Sequence, residues 1–136
     1  MNNSNRSIKR AVNFWLKCTQ DNLKTGKAMV KTRRWSFAMF MCQQTLEALL
    51  KAIFIIQHKT RPEYIHKLPK LLELIRIKVP RSIDFKILKI DAHYIKARYQ
   101  EDRFNPSIYN RKNAVQLLKD TQEVVKWFAR NLKLKI

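Results

Sequence analysis

Three histidines, His58, His66 and His93, are the side chains whose ordinary pKa lets them carry protons near neutral pH, so acid–base chemistry would start with one of them. His66 stands at the end of Arg61-Pro62-Glu63-Tyr64-Ile65-His66, five residues after Arg61, and the same stretch leads into a predicted third helix. An Arg and a His near the backbone N–H groups of a helix N-terminus suit a phosphate; a capping or surface His66 fits the pattern equally well. His93-Tyr94-Ile95-Lys96-Ala97-Arg98-Tyr99 gives the reverse order, with Arg98 one turn beyond Tyr94. Arg98 could grip a phosphate with both ends of its guanidinium while Tyr99 stacks on a base; alternatively Arg98 satisfies carbonyls at a helix C-terminus and Tyr99 packs on the core. Gln44, Glu47 and Lys51 recur at spacings of three and four on an otherwise apolar stretch, where Glu47 and Lys51 could form an internal ion pair.

Other chemistries have little support. With Gly26 the sole glycine, no Gly-rich phosphate loop exists, which removes Walker-type and Rossmann-type nucleotide binding. The acids are scattered, the histidines lack ligand spacing, and we expect neither a metal nor a cofactor. Cys18 and Cys42 read as small core residues rather than as a disulfide or a metal pair.

The elements that must position these residues are helices. One Gly and four Pro in 136 residues are too few for the tight turns of an all-β protein, and 46% hydrophobic residues suffice for a core. One domain over residues 1–136 is expected at this length. Apolar periodicity predicts helices over about Ile8–Val30, Arg34–Gln57, Tyr64–Ile77 and from an N-cap at Ser82 to about Tyr99, followed by a last long helix after Asn105-Pro106-Ser107. Together they make an all-α, antiparallel up-and-down bundle of about five helices. The second is apolar on most sides and asks to be covered all round, by its neighbours and by a second subunit, so a homodimer is expected. Its longest charge-free run, Trp35 to Leu46, is too short to span a bilayer, and the polar N-terminus does not read as a secretory signal. A cytoplasmic protein without a membrane segment follows.

The chain carries 29 Lys+Arg against 10 Asp+Glu, a formal net charge of +19. Residues 1–34 set nine basic groups against Asp21 alone, residues 35–57 are neutral, and the rest of the surplus lies beyond residue 58. Charge spread over several elements attracts phosphate backbones through counterion release. Lys-rich surfaces elsewhere usually come with matching Glu, which is missing here, and that favours a polyanion partner.

Several blocks, in order, resemble the HEPN domain family. They are Trp15-Leu16 with Asp21-Asn22-Leu23; Gln43-Gln44-Thr45-Leu46-Glu47-Ala48-Leu49-Leu50-Lys51-Ala52; Pro62 with His66-Lys67-Leu68-Pro69-Lys70-Leu71; and Tyr94-Ile95-Lys96-Ala97-Arg98-Tyr99 before Glu101-Asp102. The resemblance implies a helical bundle that dimerises, often encoded beside a minimal nucleotidyltransferase as half of a toxin–antitoxin pair. It also implies RNA or nucleotide binding in a basic dimer cleft, and in many members metal-independent RNA cleavage by an Arg and a His with the RNA 2′-OH as nucleophile. On that reading His66, Arg61 and Arg98 are the catalytic candidates, and Lys51, Glu47, Tyr99 and Lys67 the nucleotide- or RNA-binding ones. The alternative is a non-enzymatic module that binds a nucleotide or partners the nucleotidyltransferase.

Overall fold

The computed structural model describes residues 3–99 and 101–136. The described residues form six α-helices and one 3-10 turn joined by loops, with no strand among them: α1 (Asn3–Lys31), α2 (Trp35–His58), α3 (Leu68–Ile75), α4 (Arg81–Asp91), α5 (His93–Tyr99), a 3-10 turn (Glu101–Phe104) and α6 (Arg111–Leu132). α1 and α2 are joined by three residues and therefore run antiparallel, and α2 touches every other α-helix. It is the axis of the bundle. The wide apolar surface read from its sequence is covered by α1, α3, α4, α5 and α6 of the same chain, so this covering requires no second subunit. Among the described residues α2 alone is long and apolar enough to cross a membrane, but most of it is buried within the bundle.

The core is built where apolar stripes meet α2. Leu46, Leu49, Leu50 and Ile53 pack with Leu68, Leu71 and Ile75 of α3, Ile87 and Ile90 of α4, and Val124 and Phe128 of α6, all almost fully excluded from solvent. Burying a side chain of this size contributes about 1.5–3 kcal/mol, and a bundle of six short and long helices needs many of them. Polar ties fix the register of the outer helices. Lys89 Nζ donates to Asp120 Oδ2 at 2.9 Å and Gln116 Nε2 to its Oδ1 at 2.9 Å, while Lys86 pairs with Glu123 one turn on. The two lysine ties clamp α4 to α6.

Helix ends depart from expectation in instructive ways. Ser82 is not an N-cap: the cap lies two residues earlier, at Pro80, whose carbonyl accepts from the N–H groups of Ile83 and Asp84. The predicted single fourth helix is interrupted at Ala92, which keeps right-handed torsions, so α4 and α5 nearly continue one another. α3 begins only at Leu68, because Pro62 and the 60–67 stretch form a loop across α1 and α2, which removes four residues from its predicted start. α6 is capped by Asn110, whose Oδ1 accepts from the Asn113 N–H at 2.9 Å, rather than at Ser107. Four turns adopt positive φ without glycine, at Arg33, Lys59, Arg76 and Lys133. The one glycine, Gly26, lies buried inside α1 instead.

Candidate nucleotide-binding site

The centre of the site is one carboxylate on α2. Glu47 is 6% exposed, and its oxygens take Lys51 Nζ at 3.0 Å, Gln43 Nε2 at 3.2 Å and face His66 Nδ1 at 3.2 and 3.3 Å. Residues 43, 47 and 51 fall one turn apart on one helix, so α2 alone supplies three members of the cluster. The sequence reading of Glu47–Lys51 as an internal ion pair is right, and Lys51 is 5% exposed. A pair so buried is tolerated only because its hydrogen bonds are satisfied. Gln43, fully buried, also donates to the His66 carbonyl at 2.9 Å and accepts from Gln44 Nε2 at 2.7 Å, tying the loop to the helix.

Two tyrosine rings and the Glu47 carboxylate hold His66. It stacks on Tyr94 of α5, centroids 4.7 Å apart at 14°, and meets the edge of Tyr64 at 4.7 Å and 84°. Its Nδ1 edge faces the carboxylate, the arrangement that fixes which imidazole nitrogen is left for proton transfer. Arg98 packs its guanidinium over the same Tyr94 ring at 4.7 Å, over Phe40 at 4.1 Å and over Tyr99 at 4.5 Å, while its Nε donates to the Tyr94 carbonyl at 3.0 Å. Tyr94 therefore joins His66 and Arg98. Tyr99 is 71% exposed and does not pack into the core.

Beside this cluster lies a groove of about 550 Å³ between α1 and the loop, lined chiefly by Arg10, Phe14, Trp15, Lys51, Arg61 and Tyr64. Lys51 Nζ sits 5.2 Å from the Trp15 ring centre and 5.8 Å from that of Tyr64, so a cation separates two aromatic faces. Arg61 belongs to this groove, whereas His66 turns away from it onto Glu47 and Tyr94; among the described residues no hydrogen bond or ring contact joins the two. Within this chain the five-residue spacing does not bring Arg61 onto His66; Arg98, from a distant part of the sequence, shares the Tyr94 ring with it.

One further expectation needs correction, and the remaining candidates take their places in the fold. The N-terminus of α3 is not an open anion site, because the Leu68 N–H donates to Asp91 Oδ1 at 2.8 Å. Lys67, at the N-cap position, is exposed and apart from the Glu47 cluster. His58 and His93 are structural: His58 Nε2 lies 2.9 Å from the Leu74 carbonyl and its ring packs on Phe54, and His93 is buried with Nδ1 2.8 Å from the Tyr109 hydroxyl. Burial, reinforced by the nearby Lys96 charge, lowers the His93 pKa to about 4. Burial likewise raises the Cys42 thiol to about 12, as fits the small core residue expected there, while Cys18 is half-buried. Among the described residues no group of three His, Cys, Asp or Glu side chains could hold a metal ion.

Sequence reasoning did not single out Trp15 and Tyr64, which line the groove, or Gln43 and Tyr94, which contact His66. Trp15 reads as one more member of an apolar stripe, and only the fold places Lys51 against its face.

The HEPN domain model matches residues 12–132. Two solved structures share the fold: TT1696 from Thermus thermophilus, with a TM-score of 0.76 and 22% identity over 88% of this chain and 96% of that one, and ST0689, an archaeal HEPN homologue, with a TM-score of 0.72 and 19% identity over 91% and 98%. No curated protein matches the sequence significantly. With residues 12–132 of the 136 covered by the family's model, the chain belongs to the HEPN domain family.

Proposed function

We propose that this HEPN protein binds RNA or a nucleotide in the groove between α1 and the 60–67 loop, with phosphate held by Arg10 and Arg61 and a base stacked on Trp15 or Tyr64. The observation that carries the reading is Lys51 held between the Trp15 and Tyr64 rings at the edge of a basic groove. Aromatic faces take any base, and arginines take the backbone. Titrating the protein with a fluorescently labelled single-stranded oligoribonucleotide tests it: saturable binding that weakens as salt rises supports it, and no binding at low salt overturns it.

A second reading adds catalysis, and one observation favours it: His66 is fixed through Nδ1 by Glu47 and shares Tyr94 with Arg98. In that reading His66 moves the proton of the RNA 2′-OH and Arg98 stabilises charge gathering on phosphorus. Incubating RNA with the protein in the presence of a chelator decides it. Cleavage that disappears both in His66→Ala and with a 2′-deoxy substrate supports an endoribonuclease of the toxin type; intact binding without cleavage leaves the non-enzymatic module, with a minimal nucleotidyltransferase as the partner to seek by co-purification. The exposed Phe85, Leu88 and Ile95 support homodimerisation as part of the proposal, checked by sedimentation of the purified protein.

A further inference from the structure

The other end of α2 carries a separate cavity of about 290 Å³, lined by Arg33, Arg34, Trp35, Phe37, Arg103 and Phe104 among others. The three-residue reversal between α1 and α2 places Arg33 at φ 61° and Arg34 at the N-cap of a 24-residue helix, both exposed. An arginine there opposes the helix dipole, and it provides no side-chain cap where Ser, Asp or Asn would. The first helical bond runs from the Ala38 N–H to the Arg34 carbonyl, so the N–H groups of Trp35, Ser36 and Phe37 face this end without a backbone acceptor.

Two more guanidinium groups converge on the same place. Arg111, from the start of α6, lies over Trp35 at 5.7 Å, and Arg103 lies between Phe37 at 4.7 Å and Phe104 at 4.8 Å. Arg103 donates through Nη1 to the Arg98 carbonyl at 3.3 Å, but its buried Nε has no acceptor. Among the described residues every ion pair uses a lysine or His66 and none an arginine; Asp102, the nearest acid in sequence to Arg103, pairs with Lys96 at 3.9 Å. Four arginines thus surround the positive end of a long helix without a carboxylate among them. That arrangement is unfavourable by itself and becomes favourable around an anion. Phe104, 78% exposed, carries the Arg103 guanidinium over its ring at 4.8 Å and presents the rest of that ring to solvent at the rim.

We infer that this cavity is a second nucleotide-binding site, which takes a phosphate on Arg33, Arg34, Arg103 and the α2 N–H groups and stacks the attached base on Phe104. Fifteen residues of α2 separate Ser36 from Lys51, about 22 Å of helix, so the site is distinct from the groove at Trp15 and stands whether or not that groove binds. The ligand is either a free nucleotide or one residue of an RNA strand, since both present a phosphate beside a base.

Trp15 and Trp35 give each site its own reporter. The full chain, labelled with nitrogen-15, is titrated with inorganic phosphate, with adenosine monophosphate and with hexauridylate while the two indole N–H signals and the Ser36 and Phe37 amides are followed. Saturable movement of the Trp35 indole and these amides, tighter for the nucleotide than for phosphate, is expected. Arg33→Gln with Arg34→Gln, both exposed and safe for folding, weakens binding at Trp35 about tenfold or more, as for loss of charge-assisted phosphate contacts, and leaves any Trp15 response unchanged. Phe104→Ala brings the nucleotide down to the affinity of phosphate. A hexamer far tighter than the mononucleotide identifies a strand as the source, and equal affinity a free nucleotide. A Trp35 signal that does not move, that responds to phosphate as tightly as to nucleotide, or that keeps its response in the double variant overturns the inference. A Trp15 signal that stays still while Trp35 moves counts against the groove alone.

Discussion

His66 Nδ1 lies 3.2 Å from Glu47 Oε1, across nineteen residues of sequence, and this contact links a loop to the central helix of the bundle. The same carboxylate balances the buried Lys51 ammonium, so one side chain both orients the imidazole and permits a lysine where the core would reject it. Positioning of the site and stability of the fold therefore meet at Glu47.

Removing only one member of the buried pair should cost more than removing both. Glu47→Ala leaves Lys51 charged, nearly inaccessible to water and without a carboxylate partner, a situation that typically costs about 3–5 kcal/mol. Replacing Glu47 and Lys51 together by Met removes the unpaired charge, and the double variant should unfold at higher urea than Glu47→Ala. Urea denaturation of the two variants checks this; a double variant no more stable than Glu47→Ala would show that the pair is not electrostatically coupled.

His93 predicts an acid-side loss of stability. Its folded pKa of about 4 lies below the ordinary 6.5, chiefly through burial and secondly through Lys96. The unfolded chain therefore takes up a proton as pH falls through 6.5 while the folded chain does not until about 4. Stability is full above pH 6.5 and falls progressively across that window, by about 3 kcal/mol at its end from this group. His93→Gln keeps a polar partner for the Tyr109 hydroxyl but cannot titrate. The gap in urea midpoint between the parent and this variant should therefore change with pH over the window and be constant above pH 7.

How much of this could be read from sequence depends on whether an interaction is local. α2 as the central helix follows from its apolar breadth, and Glu47–Lys51 follows from a spacing of four, because both are properties of one helix. The partner of His66 is not such a property. Arg61 has the attractive spacing, yet residues 60–67 form a loop rather than helix, so spacing there says nothing about direction; Arg61 goes to the Trp15 groove and His66 to Glu47. Tyr94 connects His66 to Arg98 only once α5 has packed against α2. Likewise Ser82 resembles a cap by residue type, but Pro80 already presets the torsion of the helix entrance, and the chain starts α4 from it.

Glycine use predicts two stabilising substitutions. Gly26 is inside α1, where a Cβ would meet Leu118 Cδ1 at 3.5 Å and Met41 Cβ at 3.6 Å, ordinary contact distances. Gly26→Ala should stabilise by about 0.5–1 kcal/mol through the helix propensity of alanine. Lys133 has φ 54° at the C-cap of α6, a torsion that suits glycine and disfavours every side chain with a Cβ. Lys133→Gly should also stabilise, by about 1 kcal/mol or less after glycine's greater freedom in the unfolded chain is counted. Thermal melts of the two single variants test both, and a lowered midpoint for Gly26→Ala would mean that the space beside Leu118 and Met41 does not accept a Cβ.

The groove itself predicts a separation of charge from stacking. Arg61 is exposed and would contact phosphate, so Arg61→Gln should weaken oligoribonucleotide binding and reduce the dependence of log affinity on log salt by about 0.7, the value for one lost single-strand phosphate contact. Trp15 carries no charge, so Trp15→Ala should leave that slope unchanged while lowering affinity by the worth of one stacked base, about 1–3 kcal/mol. Lys51 is engaged by Glu47, and its substitution should act mainly through folding rather than through the salt slope. Anisotropy titrations at several salt concentrations separate the three. Equal slopes for Arg61→Gln and the parent would remove Arg61 from the phosphate path, and an unchanged affinity for Trp15→Ala would show that no base rests on that ring.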